Sequence, residues 1–335
     1  MSEPNATRTL FHPFVDGVLD MPAGNATALF IGAPAGLRLP DGWTAPTKLV
    51  QPFRPDYLSL EAAGYAVSAQ AESEGHAVSL VLATRHRGLN EARVAEAWRR
   101  TEPGGLVVVA GGKTDGIDSL RKRFGDRAEG HLSKHHGVVF WLRKDDGPAP
   151  FTDTTLPALV DGQWETRPGH FSHDRIDPAS RLLADHLPTG VSGSVADFGA
   201  GWGYLAGMVA ARAAGLATLD LYEADHAALA SARTNLERLY PEAPATFHWR
   251  DLTRERPPRI YDLIVCNPPF HAGRAADPGL GTAFIAAASG ALKPNGRLLL
   301  VANSGLPYEA PLAAGFRQVE EIARERGFKL FSARR

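Results

Sequence analysis

The strongest constraint on the fold is the segment 261–271, which reads Tyr-Asp-Leu-Ile-Val-Cys-Asn-Pro-Pro-Phe-His. Its first half predicts a buried strand, because residues 263–265 form an unbroken apolar run. The strand must end at Asn267, since the two prolines that follow lack backbone donors and have a fixed φ. The carbonyls of Asn267 and Pro268 are then left without partners in a sheet and can face a ligand. The segment therefore predicts a ligand-facing corner at the end of a buried strand.

This corner suits an amino group that is attached to a conjugated ring or a carbonyl. The lone pair of such a nitrogen is delocalised, so it attacks only if acceptors draw on its N–H groups as positive charge develops. Fixed oxygens of Asn267 and Pro268 could supply this without a strong base, and the ring of Phe270 could stack on the substrate. The alternative is a turn that merely ends the strand, because Asn-Pro pairs often start turns.

A glycine-rich loop precedes the corner in the chain. Residues 194–198 predict a strand, residues 199–203 read Gly-Ala-Gly-Trp-Gly, and an alanine-rich helix is predicted over 204–214. Such a loop lets the backbone approach a nucleotide-like ligand closely. It contains no lysine or arginine, so a nucleoside that carries a sulfonium amino acid fits it better than a phosphate does.

Acidic residues lie next to the loop and after the next two predicted strands. Asp197 precedes the loop by two residues. Strand 217–223 ends on Glu223, whose carboxylate is placed to bind the two hydroxyls of a ribose. Asp251 follows strand 245–249 and is placed to accept from an adenine amino group, although an ordinary surface carboxylate is the alternative.

The stretch before the glycine loop has little hydrophobic periodicity. Residues 151–180 contain Pro-Gly-His-Phe-Ser at 168–172 and Asp-Pro-Ala-Ser at 177–180. They form either a lid over the cofactor or a structural crossover. Residues 145–150 read as a linker.

One order of elements occurs twice, which predicts an ancient duplication. Strand, helix, Pro-Gly turn and strand are predicted at 261–266, 280–292, 293–296 and 298–301, and again at 78–83, 89–100, 102–105 and 106–110. The first copy reads Ala-Thr-Arg-His at 83–86, where the second has the proline corner, Asn-Pro-Pro-Phe at 267–270. The first copy would therefore keep the fold and lack the chemistry. Its glycine loop, 32–36, contains Pro34 and leads into no predicted helix, so we expect no nucleotide there. The polar residues 1–25 are expected to form a loose or partly packed arm.

Residues 121–144 are locally basic. They begin with Arg121, Lys122 and Arg123 and include Phe140 and Trp141, a mixture typical of proteins that bind the RNA backbone. A solvated helix face followed by an edge strand is the alternative. Histidines lie in the same stretch without carboxylates at ligand spacing, so a metal site is not expected.

The whole composition adds few positive signals. The chain has 335 residues and a formal net charge of −1, so any basic surface must be local. Its single cysteine, Cys266, excludes an internal disulfide. We found no secretory signal pattern and no apolar run of about 18 residues, and we therefore expect a cytoplasmic protein without a membrane partner.

The chain resembles class I methyltransferases that use S-adenosylmethionine. The resemblance lies in the glycine loop, the acidic residues after the second and third strands, and the proline corner after the fourth strand. With the flanks 168–172 and 301–308, the chain is similar to the bacterial ribosomal RNA guanine-N2 methyltransferases, the small-subunit enzyme C and the large-subunit enzyme G. The similarity is stronger over 165–335 than over 1–150. Trp202 stands where members of the family usually carry a smaller residue.

The resemblance implies two tandem Rossmann-like α/β domains, a degenerate one over 1–150 and a catalytic one with a seven-stranded sheet over 151–335. It implies that S-adenosylmethionine is held by Asp197, Gly199, Gly201, Gly203, Glu223, Asp251 and Asn267. It also implies catalytic roles for Asn267, Pro268, Pro269 and Phe270.

The implied reaction is methylation of the exocyclic amine of a guanine in ribosomal RNA, in 16S rRNA rather than the large-subunit RNA on grounds of chain length. The implied partner is an assembled or partly assembled subunit, docked through Arg121, Lys122 and Arg123. The alternatives are guanine-N2 methylation of large-subunit ribosomal RNA, methylation of protein glutamine or of adenine N6, and a ribosome-assembly factor without turnover.

Overall fold

The computed structural model describes residues 3–151, 156–269, 271–272, 275–276 and 278–335. The chain divides into two compact units, residues 1–157 and 158–335. Each unit is built on one seven-stranded sheet, and the two sheets share one strand topology. This confirms the predicted fold class and explains why the same order of elements occurs twice in the sequence.

The N-terminal sheet has the order β3-β2-β1-β4-β5-β7-β6. Its strands are β1 (Ala28–Ile31), β2 (Thr47–Val50), β3 (Val67–Ser68), β4 (His76–Leu82), β5 (Thr101–Gly112), β6 (Ala128–Lys134) and β7 (Gly137–Arg143). Strands β1 to β5 run parallel to one another, and β7 is antiparallel to both β5 and β6. The helices of this unit are α1 (Glu3–Val15), α2 (Arg54–Ala62), α3 (Arg87–Arg100) and α4 (Ile117–Lys122).

Of the two expectations for the N-terminal arm, loose or partly packed, the loose arm was wrong, because residues 3–15 form α1. Leu10, Phe11 and Phe14 are at most 4% exposed and pack in the same core cluster as Phe30 and Leu80 of the sheet. These three apolar residues lie on one helical face. The polar residues before them and Pro13, which lies inside the helix, hide that face from a reading of the sequence.

The C-terminal unit repeats the sheet in the order β12-β11-β10-β13-β16-β18-β17. Its strands are β8 (Ala158–Val160), β9 (Trp164–Thr166), β10 (Val191–Phe198), β11 (Ala213–Glu223), β12 (Ala245–Trp249), β13 (Tyr261–Cys266), β14 (His271–Ala272), β15 (Ala275–Ala276), β16 (Leu292–Asn303), β17 (Gln318–Glu325) and β18 (Phe328–Arg334). Its helices are α5 (Pro178–Asp185), α6 (Tyr204–Ala211), α7 (His226–Leu239), α8 (Pro278–Ala291) and α9 (Glu309–Gly315). The pairs β8–β9 and β14–β15 form two small separate sheets.

Helices cover both faces of the central strands in this unit. Residues of α5, α6 and α7 share one core cluster with Val265, and residues of α8 and α9 share another with Ile264 and Cys266. Consecutive residues of β13 thus face opposite cores. This explains why the strand reads as an unbroken apolar run, as parallel strands buried on both faces do.

Within the part of the chain that the structure describes, no helix is long and apolar enough to cross a membrane. The same residues contain no group of three or more histidine, cysteine, aspartate or glutamate side chains arranged to hold a metal ion.

Candidate functional site

Strand register brings the predicted site to one edge of the C-terminal sheet. Phe198, the last residue of β10, pairs with Tyr222 of β11 on one side and with Cys266 of β13 on the other. The residues that follow these strands therefore begin at the same level. A Cβ built on Gly199 would lie 3.6 Å from the carbonyl oxygen of Asn267. The glycine loop and the proline corner, 68 positions apart, are thus direct neighbours.

The glycine loop needs its glycines for conformation. Gly199, Gly201 and Gly203 all have positive φ, at 78°, 54° and 90°, where other L-residues are strained. At Gly203 a Cβ would also lie 2.9 Å from Leu236 and 3.1 Å from Ala232 of α7. The backbone can therefore turn tightly from β10 into α6 and leave an open concave surface.

Trp202 does not obstruct this loop. Its side chain is 5% exposed and packs against the rings of Trp164 and Tyr204, at centroid distances of 5.8 and 5.9 Å. Its indole Nε1 donates to the carbonyl oxygen of Phe171 at 2.9 Å. The side chain of Trp202, which is larger than the family's usual residue, therefore points into the core and connects the loop to segment 168–172.

Asp197 is fully buried beneath the loop. Its Oδ2 accepts from the backbone N–H of Ala206 at 3.0 Å, whereas its Oδ1 has no hydrogen-bond partner among the described residues. Burial raises the pKa of Asp197 to about 7. A buried carboxyl group with one unpaired oxygen suits a positively charged ligand, which would favour its ionised form.

Glu223 is fixed to the glycine loop. Its Oε2 accepts from the N–H of Gly201 and its Oε1 from the N–H of Asp225, both at 2.8 Å. Burial raises the pKa of this carboxyl group. Each oxygen retains a lone pair for a hydroxyl group, so the carboxylate can accept from a ribose without giving up the loop.

Asp251 lies at the same edge and is 3% exposed. Its Oδ1 accepts from the N–H and the hydroxyl group of Thr253, at 2.9 and 2.6 Å. Its buried Oδ2 accepts no hydrogen bond from the described residues and lies 3.7 Å from Nε of Arg254. The oxygens of Asp197 and Asp251 that accept no hydrogen bond, together with the lone pairs of Glu223, form an acceptor set that fits S-adenosylmethionine, whose ammonium, ribose and adenine all donate.

Asn267 is held in one orientation by the start of α5. Its Nδ2 donates to Oδ2 of Asp177 at 3.0 Å and to Oγ of Ser180 at 2.8 Å. Asp177 is itself fixed as the N-cap of α5, where Oδ2 accepts from the N–H of Ser180 at 2.8 Å. Asn267 Oδ1 accepts no hydrogen bond from the described residues, so the amide presents an acceptor to a ligand.

These contacts of Asn267 with Asp177 and Ser180 were not predicted from the sequence, which indicated residues 177–180 only as part of a lid or a crossover. The signal for the helix cap, Asp followed by Pro and then Ser, was visible in the sequence. The contact with Asn267 was not, because it joins positions about 90 residues apart, which only the packing of α5 onto the sheet brings together.

A cavity of about 130 Å³ adjoins Asn267. Its lining residues include Phe171, Asn267, Pro268, Asn303, Tyr308 and Phe328. Phe171 is 56% exposed, and it presents an aromatic side chain at this site. The cavity can therefore receive a planar group beside the amide acceptor. Pro269 is exposed, and Phe270 lies outside the described residues.

The three basic residues predicted to dock RNA lie at the end of α4 and directly after it. Arg121 and Lys122 lie in the last turn of α4. Arg123 follows that helix, and its guanidinium pairs with the buried Glu91 and lies 4.4 Å over the ring of Phe151. Arg123 thus lines a cavity of the N-terminal unit, and the predicted role of the three residues together stays a prediction.

Comparison with known proteins agrees with this geometry. Residues 162–332 match the family model described as the methyltransferase small domain. The chain belongs to this family. The match spans the glycine loop, the acidic residues and the proline corner.

The similarity to individual known proteins extends beyond the C-terminal unit. The chain is 31% identical over 244 residues to the ribosomal RNA small subunit methyltransferase C of Psychromonas ingrahamii, covering 69% of this chain and 68% of that protein. It is 36% identical over 164 residues to the ribosomal RNA large subunit methyltransferase G of Ectopseudomonas mendocina, covering 49% of this chain and 44% of that protein.

Among solved structures, a 16S rRNA N2 methyltransferase of T. thermophilus in complex with AdoMet and guanosine matches with a TM-score of 0.80. The two chains are 25% identical, and the match covers 99% of this chain and 92% of that one. The family resemblance inferred from the sequence is therefore confirmed.

Proposed function

We propose that this protein transfers a methyl group from S-adenosylmethionine to the exocyclic N2 amine of a guanine in small-subunit ribosomal RNA. The observation that carries the proposal is the clamped amide of Asn267. Its amide nitrogen donates to Asp177 and Ser180, so its acceptor oxygen is available at the cavity that Asn267 lines. The similarity to 16S rRNA methyltransferases supports the choice of substrate.

S-adenosylmethionine, when bound, supplies a methyl group on an electron-poor sulfonium. Glu223 would accept from the ribose, Asp251 from the adenine amine and Asp197 from the methionine ammonium, with the glycines allowing close backbone approach. Asn267 would border the methionine end, because its carbonyl lies beside Gly199. These assignments extend the contacts described above and remain proposals.

Asn267 and Pro268 would act on the guanine. Their oxygens accept from the N2 amine, which localises its lone pair and stabilises the positive charge that develops as the N–C bond forms. The fixed position of both oxygens supplies this stabilisation without reorganisation, and water can then take the excess proton. Phe171 and Phe328 offer flat apolar contacts to the base in the cavity.

The guanine must leave its helix to reach this cavity. In A-form RNA the amine of a guanine lies in the shallow groove and is paired. A paired guanine therefore cannot enter the cavity. We therefore expect the substrate to be locally unpaired RNA in a subunit that is assembled or partly assembled.

The choice of small-subunit over large-subunit RNA as the substrate rests on how much of this chain each similar protein matches. The small-subunit relative matches over 69% of the chain and the T. thermophilus structure over 99%, whereas the large-subunit relative matches over 49%. The modified position would then correspond to nucleotide 1207, which the name of the T. thermophilus enzyme contains.

Transfer of a tritiated methyl group to undermethylated small subunits tests the proposal, followed by mass spectrometry of nuclease fragments. We expect one N2-methylguanine at the position equivalent to 1207. Label in protein or on adenine N6 would favour the other amine-methylating activities. Binding to subunits without any transfer would favour an assembly factor.

A further inference from the structure

The N-terminal unit contains a second cavity, of about 270 Å³, that the methyl-transfer proposal does not use. It lies between the segment that follows β4, which includes Arg85, and the segment that follows β5, which includes Thr114. In the C-terminal unit, the cavity beside Asn267 lies between the segments that follow β13 and β16. Because β4 and β5 occupy the sheet positions of β13 and β16, the two cavities are topologically equivalent.

The place equivalent to the cofactor loop is filled in this unit. Gly32 follows β1 as Gly199 follows β10. A Cβ on Gly32 would lie 2.5 Å from Nη1 of Arg93, which donates to the carbonyl oxygen of Leu82 at 2.8 Å. A side chain of α3 therefore occupies the space beside this glycine. The N-terminal unit thus has a cavity equivalent to the one beside Asn267, whereas the space equivalent to the proposed cofactor site is occupied.

Among the described residues, arginines line the second cavity but not the cavity beside Asn267. Arg85, Arg87 and Arg123 line it, together with the carboxylates of Glu91 and Asp115. These groups leave one formal positive charge. An RNA phosphodiester carries one negative charge, whereas a free phosphate monoester carries about 1.5 to 2 at neutral pH. The charge thus matches a link of an RNA backbone better than a free phosphate.

Glu91 organises two of the arginines and is 2% exposed. Its Oε1 accepts from Nε of Arg87 at 2.8 Å and from Nη1 of Arg123. Each guanidinium has five N–H donors, so both retain donors for an anion. Arg85 is exposed and has no ion pair within the described part of the chain. It can therefore direct its whole fork at a phosphate.

The corner that carries Arg85 is rigid. Oδ1 of Asn90 accepts from the N–H of Thr84 at 2.7 Å, and its Nδ2 donates to the carbonyl oxygen of Thr84 at 2.7 Å. Asn90 is 3% exposed, so α3 holds this corner much as α5 holds Asn267. A fixed backbone lowers the entropy lost when Arg85 binds.

We propose that this arginine cavity binds a backbone phosphate of the ribosomal RNA substrate. The proposal rests on an RNA substrate for the enzyme but not on the methyl-transfer step. It differs from docking through Arg121, Lys122 and Arg123, because it assigns the contact to Arg85, Arg87 and Arg123, which share one cavity.

The test uses the full-length double variant Arg85→Gln/Arg87→Gln. Both changes spare the pair of Arg123 with Glu91. The control is Arg99→Gln, which removes one positive charge from the last turn of α3, about 18 Å along the helix from Arg87. Affinity for S-adenosylmethionine, measured by calorimetry, should equal that of the wild type in both variants, and thermal unfolding followed by circular dichroism checks that the N-terminal unit stays folded.

We expect the double variant to raise KM for small subunits roughly tenfold at unchanged kcat. The slope of log affinity for single-stranded RNA against log salt should become shallower by about 0.7 to 1, because about 0.7 counterions are released per phosphate contact. Arg99→Gln should change neither value. A double variant that matches the control in KM and in salt slope would overturn the proposal.

Two further outcomes discriminate between sources and functions. If inorganic phosphate or guanosine monophosphate competes with RNA below about 1 mM, only in protein that retains Arg85 and Arg87, the ligand is a free phosphate and the proposal fails. If the wild type methylates no ribosomal RNA, the proposed function fails, but the salt slope for RNA still decides the arginine cavity.

Discussion

Replacement of Asn267 by alanine tests the catalytic corner most directly. In the structure the amide donates to Asp177 and Ser180 and presents Oδ1 as an acceptor. Charge develops on the guanine nitrogen only as the methyl group moves, so this acceptor stabilises the transition state more than the bound substrate. Loss of one such preorganised contact costs about 2.7–4 kcal/mol, so we expect kcat to fall by about 10²–10³.

The same change has a predictable cost in stability. It leaves Oγ of Ser180, a residue that is 9% exposed, without its donor from Asn267. An unsatisfied buried polar group costs about 1–3 kcal/mol. For a unit of this size that lowers Tm by roughly 2–10 °C. Affinity for S-adenosylmethionine should remain near that of the wild type, because the proposed mechanism directs the lost side chain at the base.

Ser180→Ala is the matched control. It removes one of the two acceptors that hold the amide but leaves Asp177 and the Asn267 acceptor in place, so kcat should fall by less than about tenfold. Single-turnover methyl transfer and calorimetry with the cofactor measure both quantities. Equal loss of turnover in the two variants, or loss of cofactor binding in Asn267→Ala, would show that Asn267 only braces the segment, and the proposed mechanism would be wrong.

Three further predictions concern the cofactor side and the buried core. Glu223→Gln should weaken affinity for S-adenosylmethionine by about 10- to 100-fold, since a hydrogen bond to a charged group contributes about 1.5–3 kcal/mol, and unchanged affinity by calorimetry would remove Glu223 from the site. Burial raises the pKa of Asp197 from 3.8 to about 7, so the folded cofactor-free protein binds more protons than the unfolded chain in that window and its stability should fall as pH rises through it. Urea unfolding at about pH 5 and about pH 7.5 checks this, and Asp197→Asn should reduce the difference. Cys266 is fully buried with a raised pKa, so thiol reagents should label it only as the protein unfolds, and rapid labelling of the native protein would contradict its position in the core.

The sequence determined much of this protein through local chemistry. The strand Tyr261–Cys266 ended where predicted because two prolines cannot continue a parallel ladder. Strand Ala245–Trp249 also has the predicted bounds, and the terminal hairpin of β17 and β18 follows from a turn at residues 326–327 that needs positive φ. Repetition of element order was sufficient to predict two units of like topology, since each must cover both faces of its own sheet.

Contacts between distant positions were decided only by the tertiary structure. No local pattern reveals that Asp177 and Ser180 hold the amide of Asn267, that Trp202 packs away from the loop, or that Arg123 shares Glu91 with Arg87. The helix α1 was missed for a related reason, because its short apolar face is significant only against the sheet that it covers. Local propensity specifies where a strand or helix ends. Which side chains then meet depends on strand order and register, which bring the ends of separate strands to one edge of the sheet.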